Sequence, residues 1–266
     1  MADLIFIVGN PGTGKSTAIE KLDPNNTTII NVEGKRLPFR GGTKFEIVKT
    51  DKSDEIVREM KKASEKHKII VIDDFQYLMS NEFMRRSSER GYDKFSEIGR
   101  HAWDVLETVK DLPDDVLVYV LCHSNMTDDG IERVKTIGKM LDEKINLEGM
   151  SAIVLKTVVN DGQYCFSTQN NGKDTVKSPK GMFDSLLIKN DLAYVDAKIR
   201  NYYELDNIEV DDEDAKVEEK KRKPRSRREE MEKAVAEANT TDSGEAMPWE
   251  KAETPESPKR RRRRSV

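Results

Sequence analysis

Two cysteines, three histidines and the absence of any long apolar run narrow the possibilities for this 266-residue chain before any motif is considered. Cys122 and Cys165 show no metal-ligand spacing, so they read as buried thiols of a reducing compartment. No apolar stretch approaches the length needed to span a bilayer, and no membrane partner is expected. The first apolar run leads straight into a glycine-rich loop, so no signal peptide is expected and the cytoplasm is the expected location. No internal repeat is present. Apolar residues are only 36% of the chain and charged residues also 36%, which predicts that part of it lies outside any core. Net charge is −4, but residues 211–266 carry 16 basic and 15 acidic side chains in blocks, with few apolar residues and scattered prolines. The length and this layout predict one domain over residues 1–208 and a disordered charged tail over 209–266.

What is present starts at the ninth residue. Gly9-Asn10-Pro11-Gly12-Thr13-Gly14-Lys15-Ser16-Thr17 matches the phosphate-loop pattern G-x-x-x-x-G-K-[ST] in full. Before it, Leu4–Val8 is an apolar, β-branched run suited to a buried parallel strand. After it, Thr17–Leu22 begins a helix. Strand, loop and helix start together make a cradle of backbone N–H groups for an anion. Lys15 would reach the β and γ phosphates and the Ser16 hydroxyl would ligate Mg²⁺. The motif in this context predicts that ATP or a similar nucleoside triphosphate binds here with Mg²⁺.

Further along, Thr27–Glu33, Phe45–Lys49, Lys68–Asp74 and Val116–Cys122 read as strands. Residues 53–66 and the segment carrying Phe95, Ile98, Ala102, Leu106 and Val109 read as helices. Alternation of this kind predicts an α/β fold with a mostly parallel sheet covered on both faces. Gly41-Gly42 marks a turn, and 80–92 reads as a polar stretch. After residue 150, Ser151–Val159 and Gln163–Gln169 flank Asn160-Asp161-Gly162, a hairpin signal that adds antiparallel strands. Residues 191–204 make a last amphipathic helix.

Chemistry concentrates at the strand ends. Ile69–Ile72 bury a strand and Asp73 emerges at its carboxyl end, where it would help hold the metal. Hydrolysis also needs a group to orient or deprotonate water. Glu33, at the end of the second strand, and Asp74, one methylene shorter, compete for that role; the longer reach favours Glu33. Either could instead be an acid in solvent at a strand end. His123, in Cys122-His123-Ser124-Asn125, stands where it could sense the γ-phosphate or serve only as structure. His67 reads as a loop residue and His101 as a helix-face residue. The segment 128–139, with Arg133, Lys135, Lys139, Gly130 and Gly138, reads either as a mobile nucleic-acid contact or as a solvated loop.

Together these features resemble the RecA-like P-loop ATPases, specifically small phage-encoded nucleotide-binding proteins of that group, also described as AAA-type. The resemblance rests on Gly9–Thr17, Ile69–Asp74 and His123-Ser124. It also rests on Gly91-Tyr92-Asp93-Lys94-Phe95, on Gln169-Asn170-Asn171-Gly172-Lys173 and on Lys177-Ser178-Pro179, and it covers about residues 3–205. It implies a RecA-type core, ATP hydrolysis stimulated by single-stranded DNA, homo-oligomers, and a role beside phage or host replication and recombination proteins. It also implies that Lys173 and Lys177 reach a neighbouring subunit's γ-phosphate as an arginine finger does. The chain departs from full recombinases because the phosphate loop begins almost at Met1, with no N-terminal oligomerisation segment, so annealing or loading is expected rather than strand exchange.

Two other functions compete. A nucleotide-dependent adaptor such as a helicase loader would turn ATP over slowly, but it would carry a helical lid where this chain has a hairpin and one helix. A nucleotide kinase would need an arginine-rich lid, for which only Arg85, Arg86 and Arg90 are candidates. Beyond the domain, Lys259–Arg264 is a run of six cations that could neutralise DNA phosphates, or fold back on the tail's own acids.

Overall fold

The structure is a computed structural model describing residues 2–137 and 145–210, with 212, 215 and 217. Gly138, Lys139, the Lys259–Arg264 cluster and nearly all of the expected tail lie outside the described residues. Nine strands are described: β1 (Asp3–Gly9), β2 (Thr27–Asn31), β3 (Glu46–Lys49), β4 (Ile69–Asp73), β5 (Leu117–Met126), β6 (Glu132–Val134), β7 (Ile153–Asn160), β8 (Gln163–Ser167) and β9 (Leu187–Lys189). The sheet runs β3-β2-β4-β5-β1-β7-β8-β9, and β6 pairs with the far end of β5. From β3 to β7 every neighbouring pair along that order is parallel, and β8 then β9 add antiparallel. These findings match the expected α/β fold with its mostly parallel sheet and antiparallel hairpin.

Four helices of eight or more residues are described: α1 (Ser53–Ser64), α2 (Gln76–Arg85), α3 (Asp93–Glu107) and α4 (Leu192–Tyr202). Because helices cover both faces, the central strands are apolar at successive positions rather than alternating. Phe6, Val8, Ile70, Ile72, Val118 and Val120 face one core with Ile56, Met60, Ile98 and Ala102. Ile5, Ile7, Val71, Tyr119 and Leu121 face the other with Ile19, Leu192, Val195 and Ile199.

Several elements depart from the sequence expectation. The polar stretch from Ser80 contains the second half of α2, which buries Leu78 and Met79 near its start and stacks Phe83 on Phe95 at 5.6 Å. Polar residues fill its outer face, so only two turns carry an apolar signal. The helix expected from Thr17 is a six-residue 3-10 segment, Ser16–Lys21. Strand β2 ends at Asn31, so Glu33 lies two residues beyond it. Strand β5 extends to Met126, which places His123 inside a strand, and 128–139 is not all loop because β6 pairs there with β5. The hairpin turn has the geometry its sequence predicts. Asp161 (φ 47°) and Gly162 (φ 81°) both take positive φ, as a two-residue turn matching strand twist requires.

Helix α4 is fastened to the sheet by a buried cation. Arg200, 2% exposed, bonds Asp196 Oδ2 at 2.7 Å, and donates to the carbonyls of Lys68 at 3.0 Å and Asp115 at 2.9 Å, just before β4 and β5. Tyr119 donates to the other Asp196 oxygen at 2.9 Å. Removing Arg200 would strand a buried carboxylate and the Asp115 carbonyl, while the Lys68 carbonyl would keep only its bond from Leu117 N. Arg200→Ala is therefore expected to cost about 3–5 kcal/mol of stability, measurable by urea denaturation.

Candidate functional site

Parallel strands bring their carboxyl ends to one edge, where open α/β sheets hold ligands. Register fixes which residues meet there: Gly9 is level with His123, and Asn31 with Asp73. The phosphate loop leaves β1 at this edge. Gly12 (φ 76°) and Gly14 (φ 97°) hold left-handed backbone that a side chain would resist. Gly9 is required for a different reason. A Cβ there would fall 2.1 Å from Thr157 Oγ1 of β7. Thr13 Oγ1 shares a 2.6 Å hydrogen bond with that hydroxyl and donates to Asn10 O at 2.7 Å, so β7 braces the loop from outside.

Lys15 is 6% exposed, and its Nζ donates to Gly9 O at 2.7 Å and Asn10 O at 2.9 Å. Burial pulls its pKa below the usual lysine range, against the nearby Asp74, Cys122 and Asp73. Ser16 Oγ donates to Asp73 Oδ1 at 3.0 Å, joining the loop to β4. Burial, with the charge of Asp74, pushes Asp73 up to about 6, opposed by the Ser16 bond and Lys15. A hydroxyl and a carboxylate side by side are hard oxygen donors suited to Mg²⁺. Among the described residues no group of three or more His, Cys, Asp and Glu gathers as a metal cage. Ser16 and Asp73 would be the residues to hold a magnesium ion, which would neutralise charge on phosphate oxygens.

Asp74 is tied on both oxygens. Its Oδ2 lies 3.2 Å from Lys35 Nζ and its Oδ1 3.4 Å from His123 Nε2. Burial raises its pKa, but the His123 bond and the Lys35 charge outweigh that and hold it below the usual carboxylate range. Its backbone is left-handed (φ 62°), which aspartate tolerates better than most residues. Lys35 also lies 4.6 Å over the ring of Tyr77, which meets the His123 ring edge-on at 6.2 Å. Gln76 Oε1 accepts from His123 N at 3.1 Å. Glu33 differs from Asp74 because its Oε2 is buried and has no hydrogen-bond partner among the described residues.

Thus Gly9, Asn10, Pro11, Gly12, Thr13, Gly14, Lys15, Ser16, Thr17, Asp73, Asp74 and His123 gather at one sheet edge, with Glu33 just past the end of β2. The backbones of Lys173 and Lys177 are fixed against β6 and β7 respectively. Lys173 O accepts from Glu132 N at 2.8 Å, and Lys177 exchanges hydrogen bonds with Val154 of β7. Lys35, Tyr77, Gln76 and Thr157 were not singled out from sequence. Lys35 is two residues past Glu33 and was within reach of that reasoning, whereas the contact between Thr157 and Thr13 spans 144 positions and leaves no local signal.

A family model described as AAA domain matches residues 3–179, two thirds of the chain and all of the site. The chain belongs to the AAA domain family. This AAA domain is therefore a nucleotide-binding P-loop ATPase domain, and its loop, Lys15 and the Ser16–Asp73 pair are the parts such a domain needs. No curated protein sequence matches the chain. No helix among the described residues is long and apolar enough to cross a membrane.

The close approach at Gly9 gives a direct test. Gly9→Ala is expected to cost about 1–3 kcal/mol and to weaken nucleotide binding, because the loop must shift off Thr157. Thr157→Ala in the same chain should restore part of both, since the Thr157 carbonyl still lies 3.1 Å from the new Cβ. Thermal unfolding and nucleotide titration of the three variants check this.

Proposed function

We propose that this AAA domain is a RecA-like, Mg²⁺-dependent ATPase that acts on single-stranded DNA in phage recombination or replication. The observation that carries the hydrolytic reading is the 3.0 Å bond from Ser16 to Asp73, with the Lys15 ammonium buried beside it. Lys15 would hold the β and γ phosphates, while Ser16 and Asp73 hold the metal. Magnesium bound there supplies charge neutralisation at the phosphate oxygens. The free buried oxygen of Glu33 supports its role as the group that takes up the attacking water's proton. Asp74 is already engaged by Lys35 and His123, which favours an orienting role for it and a phosphate-sensing role for His123.

Coupling to DNA is supported by a short path. His123 O accepts from Lys135 N at 2.8 Å, so the sensing strand is one backbone hydrogen bond from Lys135, the residue after β6, and from Arg133 within β6. Kinase chemistry is disfavoured because Arg85 pairs with Asp51, and Arg86 with Glu82, Glu89 and Glu97. ATPase rates with and without single-stranded DNA test the reading. Stimulation supports it, slow turnover indifferent to DNA points to an adaptor or loader, and phosphoryl transfer to a nucleotide points to a kinase.

Lys15→Ala should lower kcat by on the order of 100-fold or more, because it removes a preorganised cation from the transferring phosphoryl group. Glu33→Gln should abolish turnover yet keep ATP binding, with Asp74→Asn milder. The reverse ranking would assign water activation to Asp74.

Assembly is the second part of the reading, with Lys173 and Lys177 acting on a neighbour's γ-phosphate in a homo-oligomer. Specific activity should then rise with protein concentration. A Lys173→Ala, Lys177→Ala double variant should be partly rescued by mixing with Lys15→Ala protein. Activity strictly proportional to enzyme, with no rescue, counts against action in trans.

A further inference from the structure

The acids and His123 come from β2, β4 and β5, all on one side of β1. On the other side, between the phosphate loop and the β8–β9 edge, lies an open cavity of about 480 Å³. Thr17, one residue past the metal-facing Ser16, already lines it, together with Gln163, Tyr164 and Asn190. A triphosphate whose terminal end sits at Ser16 and Asp73 would leave the loop towards this cavity, whose size suits a nucleoside.

Two side chains there have no evident role in the fold. Tyr164 is 47% exposed although it lies against the loop, its Cδ1 only 3.0 Å from where a Gly14 Cβ would stand. Asn190 Oδ1 lies 3.2 Å from the same point, and both its Oδ1 and Nδ2 are buried without a hydrogen-bond partner among the described residues. Leaving a buried amide unpaired is costly, so this side chain is not kept for stability. The backbone, by contrast, is fixed. Asn190 N donates to Tyr164 O at 3.2 Å, and the next residue, Asp191, caps α4 through Ala193 N and Tyr194 N.

We propose that this cavity seats the nucleoside of the bound triphosphate, with Tyr164 as the stacking platform and the Asn190 amide reading a 6-aminopurine edge. The proposal rests on the reading that the phosphate loop holds a triphosphate. A primary amide offers one acceptor and two donors. Phosphate oxygens would satisfy only the donors. The adenine edge sets an amine donor beside a ring-nitrogen acceptor, which pairs with both ends of an amide. Tyr164 has solvent on one side, so its ring can turn off the loop to cover a base and open the amide to it.

The test is calorimetric titration of the full chain with ATP, with purine riboside triphosphate (which lacks the 6-amino group) and with inorganic tripolyphosphate. The wild type should bind ATP about 10-fold or more tighter than tripolyphosphate, the scale of one base–aromatic stack. Tyr164→Ala should lose most of that advantage, Tyr164→Phe should keep it, and neither should alter tripolyphosphate binding. Asn190→Leu should bind ATP and purine riboside triphosphate equally, both more weakly than the wild type binds ATP, without lowering the melting temperature. Unchanged ATP affinity in Tyr164→Ala and Asn190→Leu, with tripolyphosphate still bound, would overturn the seat and leave the phosphate-loop reading standing. A lower melting temperature in Asn190→Leu, or equal loss of tripolyphosphate in Tyr164→Ala, would make these residues structural and also overturn it. A wild type that binds neither ATP nor tripolyphosphate would overturn both readings.

Discussion

Asp73 is a carboxylate at the end of a wholly buried strand, and it stays there because Ser16 Oγ meets it at 3.0 Å. Four apolar residues, Ile69 to Ile72, pull β4 into the sheet and carry the acid with them. Burial and the neighbouring Asp74 charge then raise its affinity for a proton, against the pull of the Ser16 bond and the Lys15 ammonium. A dication and a triphosphate brought to this edge meet an acid, a hydroxyl and a buried ammonium that are already spaced. The rest of the site is arranged around that pair: β5 lies between β1 and β4, and so delivers His123 between the loop and the acids.

The second polar layer is built differently. Asp74, Lys35, His123 and Tyr77 come from three segments of the chain and hold one another through one ion pair, a carboxylate–imidazole contact, a cation–π contact and an edge-on ring contact. Their mutual satisfaction leaves Asp74 with little freedom, whereas the buried Oε2 of Glu33 has none of these ties. Two acids a few residues from the ends of neighbouring strands thus have opposite environments, a difference that composition alone does not reveal.

Much of this was legible in sequence because it is local. The phosphate loop is contiguous, the Asp73 strand announces itself by four apolar residues before an acid, and the Asp161-Gly162 turn is dictated by positive φ. What stayed hidden depends on distant pairing. Strand β9 is three residues long and borrows its pairing from β8, so it has no period to detect. Helix α2 shows polar residues over its second half because only its first half is buried. Lys35, Thr157, Tyr164 and Asn190 matter through contacts across the sheet edge, and nothing in their immediate neighbours marks them out.

The clip made by Arg200 separates two kinds of boundary. The family match ends at residue 179, yet the guanidinium that closes the amino ends of β4 and β5 lies on α4, beyond it. Tyr119, in the centre of the sheet, likewise finds its partner only in Asp196. A chain ending where the shared sequence ends would keep every residue of the phosphate loop. It would also expose one face of its own sheet and leave a buried phenol and the Asp115 carbonyl without the partners that α4 supplies. The stretch that the family match covers is therefore shorter than the stretch whose side chains complete the sheet.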